Sequence, residues 1–186
     1  MGKFVSRAGD KLQFALKNFK VSVEGKIAAD FGSSTGGFVD CLLENGARKV
    51  YAVEVGYGTL AWKLRIDPRV IVMERINAMY AKLPKKVDFI SLDVGWTKQK
   101  NILPNAFANL RKDGFIISLV KPHYEASTKF IRGGKLMGEH LDEVLEQVKE
   151  DVIDTGGRFI KIVESPILGR RASNREFLAL IRPVAQ

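Results

Sequence analysis

The amino-acid sequence predicts an α/β fold: a mostly parallel sheet of seven strands, one of them antiparallel, with helices on both faces. Three observations lead there. Short apolar runs alternate along the chain with amphipathic segments at helical spacing. Three of those runs close on an acid, at Asp30, Glu54 and Asp93, and the first leads straight into a glycine-rich turn. Two runs late in the chain follow each other with no helix between them, which calls for an antiparallel partner.

Taken in order, Ala8, Leu12, Ala15, Leu16 and Phe19 form an apolar stripe over residues 6–19, with Ser6 able to cap it. Lys11 lies on the flank of that stripe, where a lysine either snorkels to the surface or carries its ammonium to the edge of a cleft. Residues 26–31 read as the first strand and 37–45 as a helix closed by Gly46. The second strand is 50–54; a short helix over 59–65 stops before Asp67-Pro68, and the third strand is 70–73. The fourth, 87–94, carries Asp93 at its end. A helix over 99–111 follows, with Pro104 easiest to place near its start or at a kink. Asp113-Gly114 turns the chain into the fifth strand, 115–120, which delivers Lys121. Leu136, Met137, Leu141, Val144, Leu145, Val148 and Val152 give 135–155 the pattern of one long amphipathic helix, ended by Gly156-Gly157. The last two strands are 158–164 and 177–182. No repeat or linker interrupts the chain, so residues 1–186 are expected to form one domain, with 1–20 supplying the N-terminal helix and Lys11.

Composition narrows the function. Thirty Lys and Arg against 21 Asp and Glu leave a net charge of +9, with a pI near 9.7. Such a surplus commonly serves a phosphate backbone, the alternative being a merely basic surface. The charge is spread over modest clusters at 7–20, 82–86, 98–100 and 170–175, which suits a folded basic face better than a basic tail. No apolar run reaches the roughly 18 residues that a membrane span needs, and no signal segment follows Met1, so a cytoplasmic location is expected. The single cysteine, Cys41, forms no internal disulfide and is expected to be a small buried residue. His123 and His140 have no second ligand at metal-binding spacing, so no metal is expected.

The glycine turn reads Asp30-Phe31-Gly32-Ser33-Ser34-Thr35-Gly36-Gly37-Phe38. It has neither the Gly-x-Gly-x-x-Gly spacing of a nicotinamide site nor the Gly-Lys-Ser/Thr of a P-loop. Its glycines allow backbone to approach a ligand, and the helix start that follows favours a carboxylate. An amino acid joined to a nucleoside fits, which describes S-adenosylmethionine. Glu54, ending the second strand, stands where it can accept hydrogen bonds from ribose hydroxyls. Asp93 and Lys121 end the fourth and fifth strands at the carboxyl edge of the sheet, and Glu176, at the start of the antiparallel strand, belongs to the same edge. Lys11 could reach it as well. Two lysines and two carboxylates in one cleft would tune one another for proton transfer or for orienting a substrate; the competing reading is a structural ion-pair cluster.

These residues resemble a known family. The stretches Phe4-Val5-Ser6-Arg7-Ala8-Gly9-Asp10-Lys11-Leu12, Asp30 to Phe38, and Val50-Tyr51-Ala52-Val53-Glu54-Val55-Gly56-Tyr57-Gly58 carry the likeness. So do Asp67-Pro68-Arg69-Val70, Met73-Glu74-Arg75-Ile76-Asn77, Ser91-Leu92-Asp93-Val94, Leu119-Val120-Lys121-Pro122 and Asn174-Arg175-Glu176-Phe177. Together they make nearly the whole chain similar to the FtsJ-like ribosomal RNA methyltransferases, most closely the TlyA type, often labelled hemolysin A. The resemblance implies a Rossmann-like methyltransferase fold, S-adenosylmethionine as methyl donor and a ribose 2′-hydroxyl of rRNA, on a cytidine, as acceptor. It implies a Lys-Asp-Lys-Glu tetrad of Lys11, Asp93, Lys121 and Glu176, in which Lys121 activates or orients the hydroxyl, Asp93 and Glu176 position it, and Lys11 assists. Cofactor contacts carried over are Asp30, Gly32, Ser33, Ser34, Thr35, Gly36, Gly37, Phe38, Glu54, Asn77 on the adenine side, and Asp93 near the methionine end.

Two departures bear on the substrate. TlyA-type proteins usually begin with an S4-type RNA-binding domain, and this sequence starts where that domain would end. Either it is a piece of a longer protein, or its own basic surface or a partner finds the RNA. The stretch Gly95-Trp96-Thr97-Lys98-Gln99-Lys100 is unusually basic, and Trp96 either stacks on a base or is buried at the foot of a loop. The 170–175 loop beside Glu176 reads as either a phosphate site or a solvated loop. Three other functions compete: an RNA-binding module with a vestigial cofactor pocket, a membrane-active cytolysin, and a small-molecule methyltransferase. The intact tetrad, the missing membrane span and the basic surface count against them in turn.

Overall fold

Seven strands hydrogen-bond into one sheet, whose spatial order, numbering the strands along the chain, is 3-2-1-4-5-9-8. The computed structural model describes residues 3–169 and 174–184. The central strands are β1 (Ile27–Phe31), β2 (Lys49–Glu54), β3 (Val70–Glu74), β4 (Val87–Leu92) and β5 (Leu110–Val120), all mutually parallel. β9 (Phe177–Pro183) runs antiparallel between β5 and the edge strand β8 (Gly157–Glu164). The chain moves from β1 outward to β3, then returns to β4 on the other side of β1. That reversal opens a crevice beyond the carboxyl ends of β1 and β4.

Side-chain alternation on these strands feeds two cores. Ala28, Val50, Phe89, Ile117 and Leu178 face α1 (Ala8–Phe19) and α2 (Gly37–Glu44). Their neighbours Ala29, Tyr51, Ile90, Ile116 and Ala179 face α4 (Gln99–Asn109) and α6 (Leu141–Asp154). Strands buried on both faces must be apolar throughout, which is why they read as continuous runs.

Glycines let the first two helices close on each other and on the sheet. Gly32 has φ 89°, and a Cβ there would stand 2.5 Å from the Asp93 carbonyl oxygen. A Cβ on Gly37 would meet the Gly9 amide nitrogen at 2.9 Å and crowd the Ser6 hydroxyl. The turn is therefore glycine-rich partly because the chain itself crowds it: Gly32 admits the Asp93 segment and Gly37 admits α1.

Several predicted boundaries move. α1 begins at Ala8 with Arg7, rather than Ser6, at its N-cap, and α3 is only Trp62–Arg65. β4 ends at Leu92, so Asp93 lies just beyond it, and β5 starts at Leu110 with Asp113-Gly114 inside it and a register shift opposite Val87–Phe89. Pro104 sits in the interior of α4. The largest correction concerns 135–155. Only Leu141–Asp154 is α-helical; Leu136 belongs to a two-stranded hairpin of β6 (Ile131–Arg132) and β7 (Lys135–Leu136), and Met137 follows it. Gly133-Gly134, both with positive φ, form the two-residue turn that joins these two strands. Before it comes a short helix, α5 (Pro122–Glu125), immediately after Lys121.

The close approach of α1 to α2 yields a stability prediction. Gly37→Ala places a methyl group against backbone that cannot retreat, and should cost about 1–3 kcal/mol. Urea denaturation of the two proteins would measure it; an unchanged midpoint would show that α1 shifts freely over α2.

Candidate active site

Strand register builds the site. Phe31 pairs with Leu92, so Gly32 and Asp93 are each one step past the last pair, and the Asp93 amide donates to the Phe31 carbonyl at 3.0 Å. Val120 pairs with Phe177, which sets Lys121 and Glu176 side by side at the same edge. Lys11 approaches from α1 with its stem in the core.

Two ion pairs result. Lys11 Nζ donates to Glu176 Oε2 at 2.5 Å, with the residues only 6% and 5% exposed. Lys121 Nζ donates to Asp93 Oδ1 at 2.5 Å and to the Val94 carbonyl at 3.2 Å, and remains partly exposed. All four side chains line one cleft of about 600 Å³, together with Asp30, Gly32, Ser33, Ser34, Thr35, Gly37 and Phe38. Gly36, the left-handed N-cap of α2, completes the turn behind them.

A second cavity of about 430 Å³ adjoins the first through Gly32, Ser34 and Asp93, and is lined by Glu54 and Asn77. Glu54 accepts from the Ser34 and Gly56 amides, both at 2.8 Å, which fixes its carboxylate across the turn. Asn77 caps the short 3-10 turn Ala78–Tyr80 by accepting from the Met79 amide at 2.9 Å. Every residue predicted to contact the cofactor therefore lines one of these two cavities or, in the case of Gly36, closes the turn between its lining residues.

The donor set fits S-adenosylmethionine. Among the described residues no side chain caps α2, so its first amides are left for a carboxylate near Gly37 and Phe38. The Glu54 carboxylate, held at the other cavity, retains acceptor capacity for a diol. Between them, burial pushes the Asp30 carboxyl up to about 8, against the pull of the Ser91 hydroxyl at 2.7 Å; Asp93 and Glu54 add repulsion.

The loop after Asp93 resolves one open reading. Trp96 is 77% exposed, with φ 57°, and packs against Tyr124 as a tilted pair with ring centroids 4.7 Å apart; it is not buried. Lys121 Nζ lies 5.8 Å from the same Tyr124 ring. Tyr124 escaped the sequence reading, although its place three residues after Lys121 was a usable signal. A buried network braces the region: the Gln99 amide donates to Glu125 Oε1 at 3.0 Å, the Ser118 hydroxyl to Gln99 Oε1 at 2.7 Å, and Lys98 Nζ to the Glu125 carbonyl at 2.7 Å. Burial raises the Glu125 carboxyl to about 7. Cys41 is buried in α2, its thiol pushed up to about 12 by burial. In the 170–175 loop, Arg170, Arg171, Ala172 and Ser173 lie outside the described residues, and Arg175 is engaged by Glu164 at 2.7 and 2.6 Å. Among the described residues, no helix is long and apolar enough to cross a membrane.

This architecture, with its crevice past β1 and β4, is that of the S-adenosylmethionine-dependent methyltransferases. Aeropyrum pernix fibrillarin, solved with natively bound S-adenosyl-L-methionine, matches with a TM-score of 0.67 over 91% of this chain and 74% of its own, at 17% identity, a likeness of fold alone. The chain belongs to the FtsJ-like methyltransferase family, whose sequence model matches residues 4–182. It is 39% identical to Hemolysin A of Brachyspira hyodysenteriae over 183 residues, 95% of this chain and 76% of that one. It is 42% identical to the 16S/23S rRNA (cytidine-2′-O)-methyltransferase TlyA of Mycobacterium tuberculosis over 125 residues, 66% of this chain and 47% of that one. A solved Streptococcus thermophilus protein that carries hemolysin in its name matches with a TM-score of 0.95 at 40% identity, over 99% of this chain and 68% of its own. The chain thus spans three quarters of the first relative's length and about half of the second's.

Asp30 and Glu125 make stability depend on pH. Both carboxyls hold their protons in the folded protein at pH values where the unfolded chain, with ordinary values of 3.8 and 4.5, has released them. Their contribution is full below about pH 4 and is lost as pH rises through about 7 and about 8. Urea midpoints should fall over that window, and Asp30→Asn should flatten the upper part of the slope. A slope identical in the variant would show that Asp30 is ionised in the fold.

Proposed function

We propose that this chain methylates the ribose 2′-hydroxyl of ribosomal RNA, on a cytidine, using S-adenosylmethionine. The observation that carries this reading is the pair of lysine–carboxylate contacts at one cleft edge, Lys121 with Asp93 and Lys11 with Glu176, opening beside the glycine turn. Bound against that turn, S-adenosylmethionine supplies an electrophilic methyl group on a sulfonium. The chain's own residues then do the positioning. Lys121, anchored by Asp93 and the Val94 carbonyl, presents Nζ to the cleft, where it would orient the 2′-oxygen toward the methyl group that the cofactor supplies. The buried Lys11–Glu176 pair forms the rigid floor beneath it, because neither partner can leave without stranding a charge. Holding two reactants in line supplies much of such a rate. Trp96 and Tyr124 offer a face for a nucleobase next to Lys121.

An rRNA target agrees with the net charge of +9 and with the name of the Mycobacterium tuberculosis relative. The test is to incubate the protein and labelled cofactor with unmethylated ribosomal subunits and map the 2′-O-methyl groups. Label confined to a small molecule would overturn the reading. Lys121→Ala should lower transfer by at least about a hundredfold while cofactor affinity stays within about twofold; undiminished turnover would remove Lys121 from the chemistry. Trp96→Ala should raise the KM for RNA by about 5- to 100-fold, the loss of one stacked base, with cofactor affinity unchanged.

A further inference from the structure

The hairpin that the sequence disguised as helix carries an arrangement the cleft does not explain. Arg132 and Lys135 are register partners across β6 and β7, directly opposite each other and flanking the Gly133-Gly134 turn. Like charges so placed weaken a ladder, and a lone two-stranded hairpin is already marginal. Both side chains are exposed, and neither makes a hydrogen bond or ion pair to any described residue. Lys129, at the hairpin's foot, is also exposed and rests on the Phe130 ring at 4.8 Å.

The structure nevertheless holds this hairpin in place. Phe130 stacks on His140 at 3.8 Å, the Met137 amide donates to the Phe130 carbonyl at 3.0 Å, and Leu136 packs against the core. Asn174 Nδ2 donates to the Gly134 carbonyl at 2.9 Å, tying the tip to the Asn174-Arg175-Glu176 segment that leads into β9. The hairpin also follows α5, which starts directly after Lys121. A pair of cations without a charge partner among the described residues is thus fastened to the leaders of two residues at the cleft.

We propose that Arg132 and Lys135 form a cationic fork that grips the phosphodiester backbone of the RNA strand carrying the target nucleotide. This rests on the reading of the cleft as an RNA ribose methylation site and adds the surface that registers the strand to it. An anion held between two facing cations offsets their repulsion, and a phosphodiester of the bound strand is the anion that site would meet. Arg175, in the segment that Asn174 ties to the hairpin tip, is engaged by Glu164 and does not substitute.

The experiment measures binding of the full chain to transcribed, unmodified ribosomal RNA across a salt series. The variant Arg132→Gln/Lys135→Gln is compared with Arg158→Gln/Arg182→Gln. The second pair is also opposite across a ladder, but at the far end of β8 and β9, so it removes the same charge elsewhere. The fork variant should weaken RNA binding about tenfold at roughly 0.1 M salt and make the dependence of log K on log salt shallower by about one to two units, as expected for two lost phosphate contacts. The far pair should leave the slope unchanged, and cofactor affinity should be unchanged in both, showing that the variants fold. Equal effects of the two pairs, or none from the fork, would overturn the proposal. Methyl transfer by the parent chain is read separately: if it labels no RNA, the reading of the cleft fails, while the salt slopes still decide the fork.

Discussion

β9 lies antiparallel against β5 with Val120 opposite Phe177, and the cleft depends on that register. One step beyond the pair, the two strands end in a lysine and a glutamate. Glu176 meets Lys11, and Lys121 meets Asp93. A slip of one residue would turn Leu178 and Leu180 out of one core and Phe177, Ala179 and Ile181 out of the other. The apolar alternation of β9 therefore fixes the position of a carboxylate that has no packing role of its own. Register on β1 and β4 does the same for Asp93, which the bare Gly32 admits to within contact of the turn.

Charge inside the cleft is arranged at a cost that the fold absorbs. Asp30, Glu54, Asp93 and Glu176 converge on a region with two lysines, in a chain whose net charge is strongly positive. Burial keeps Asp30 protonated near neutral pH, so one potential negative charge is withdrawn from the set. The buried Lys11–Glu176 pair is weak evidence for stability in itself, since desolvation consumes most of its attraction. What it secures is geometry: each partner holds the other in a single place.

Much of this was legible in the sequence, because strands buried on both faces must be apolar and must alternate with helices. Asp30, Glu54, Asp93 and Lys121 could be placed from strand ends alone. Lys11 could not, since its burial depends on Glu176, a partner at the other end of the chain. In the sequence the glycines indicate room for a ligand, whereas Gly32 and Gly37 also answer to the chain's own backbone, a demand that only tertiary packing reveals. The hairpin was lost because Leu136 and Met137 fall in helical phase with Leu141. Periodicity over two residues carries no information, and the Gly133-Gly134 turn was the signal that should have outweighed it.

The elements offered to a substrate are fastened to the cleft by side-chain hydrogen bonds rather than by the sheet. Glu125 and Gln99, with Ser118 behind them, tie the Trp96 loop to α5, while Asn174 ties the hairpin tip to the leader of Glu176. Loops without such braces could follow a bound strand without passing its position on. Here the aromatic face and the fork share their anchors with Lys121 and Glu176. Under the proposed function, a nucleotide gripped at either loop is thereby placed relative to the two residues that must meet its ribose. Under the same reading, the cofactor half of the cleft, built on β1 and β2, is fixed by the parallel ladder together with the hydrogen bonds that Glu54 accepts from the Ser34 and Gly56 amides. The proposed donor side thus rests mainly on backbone pairing, and the proposed acceptor side is coupled to it through a few buried polar contacts.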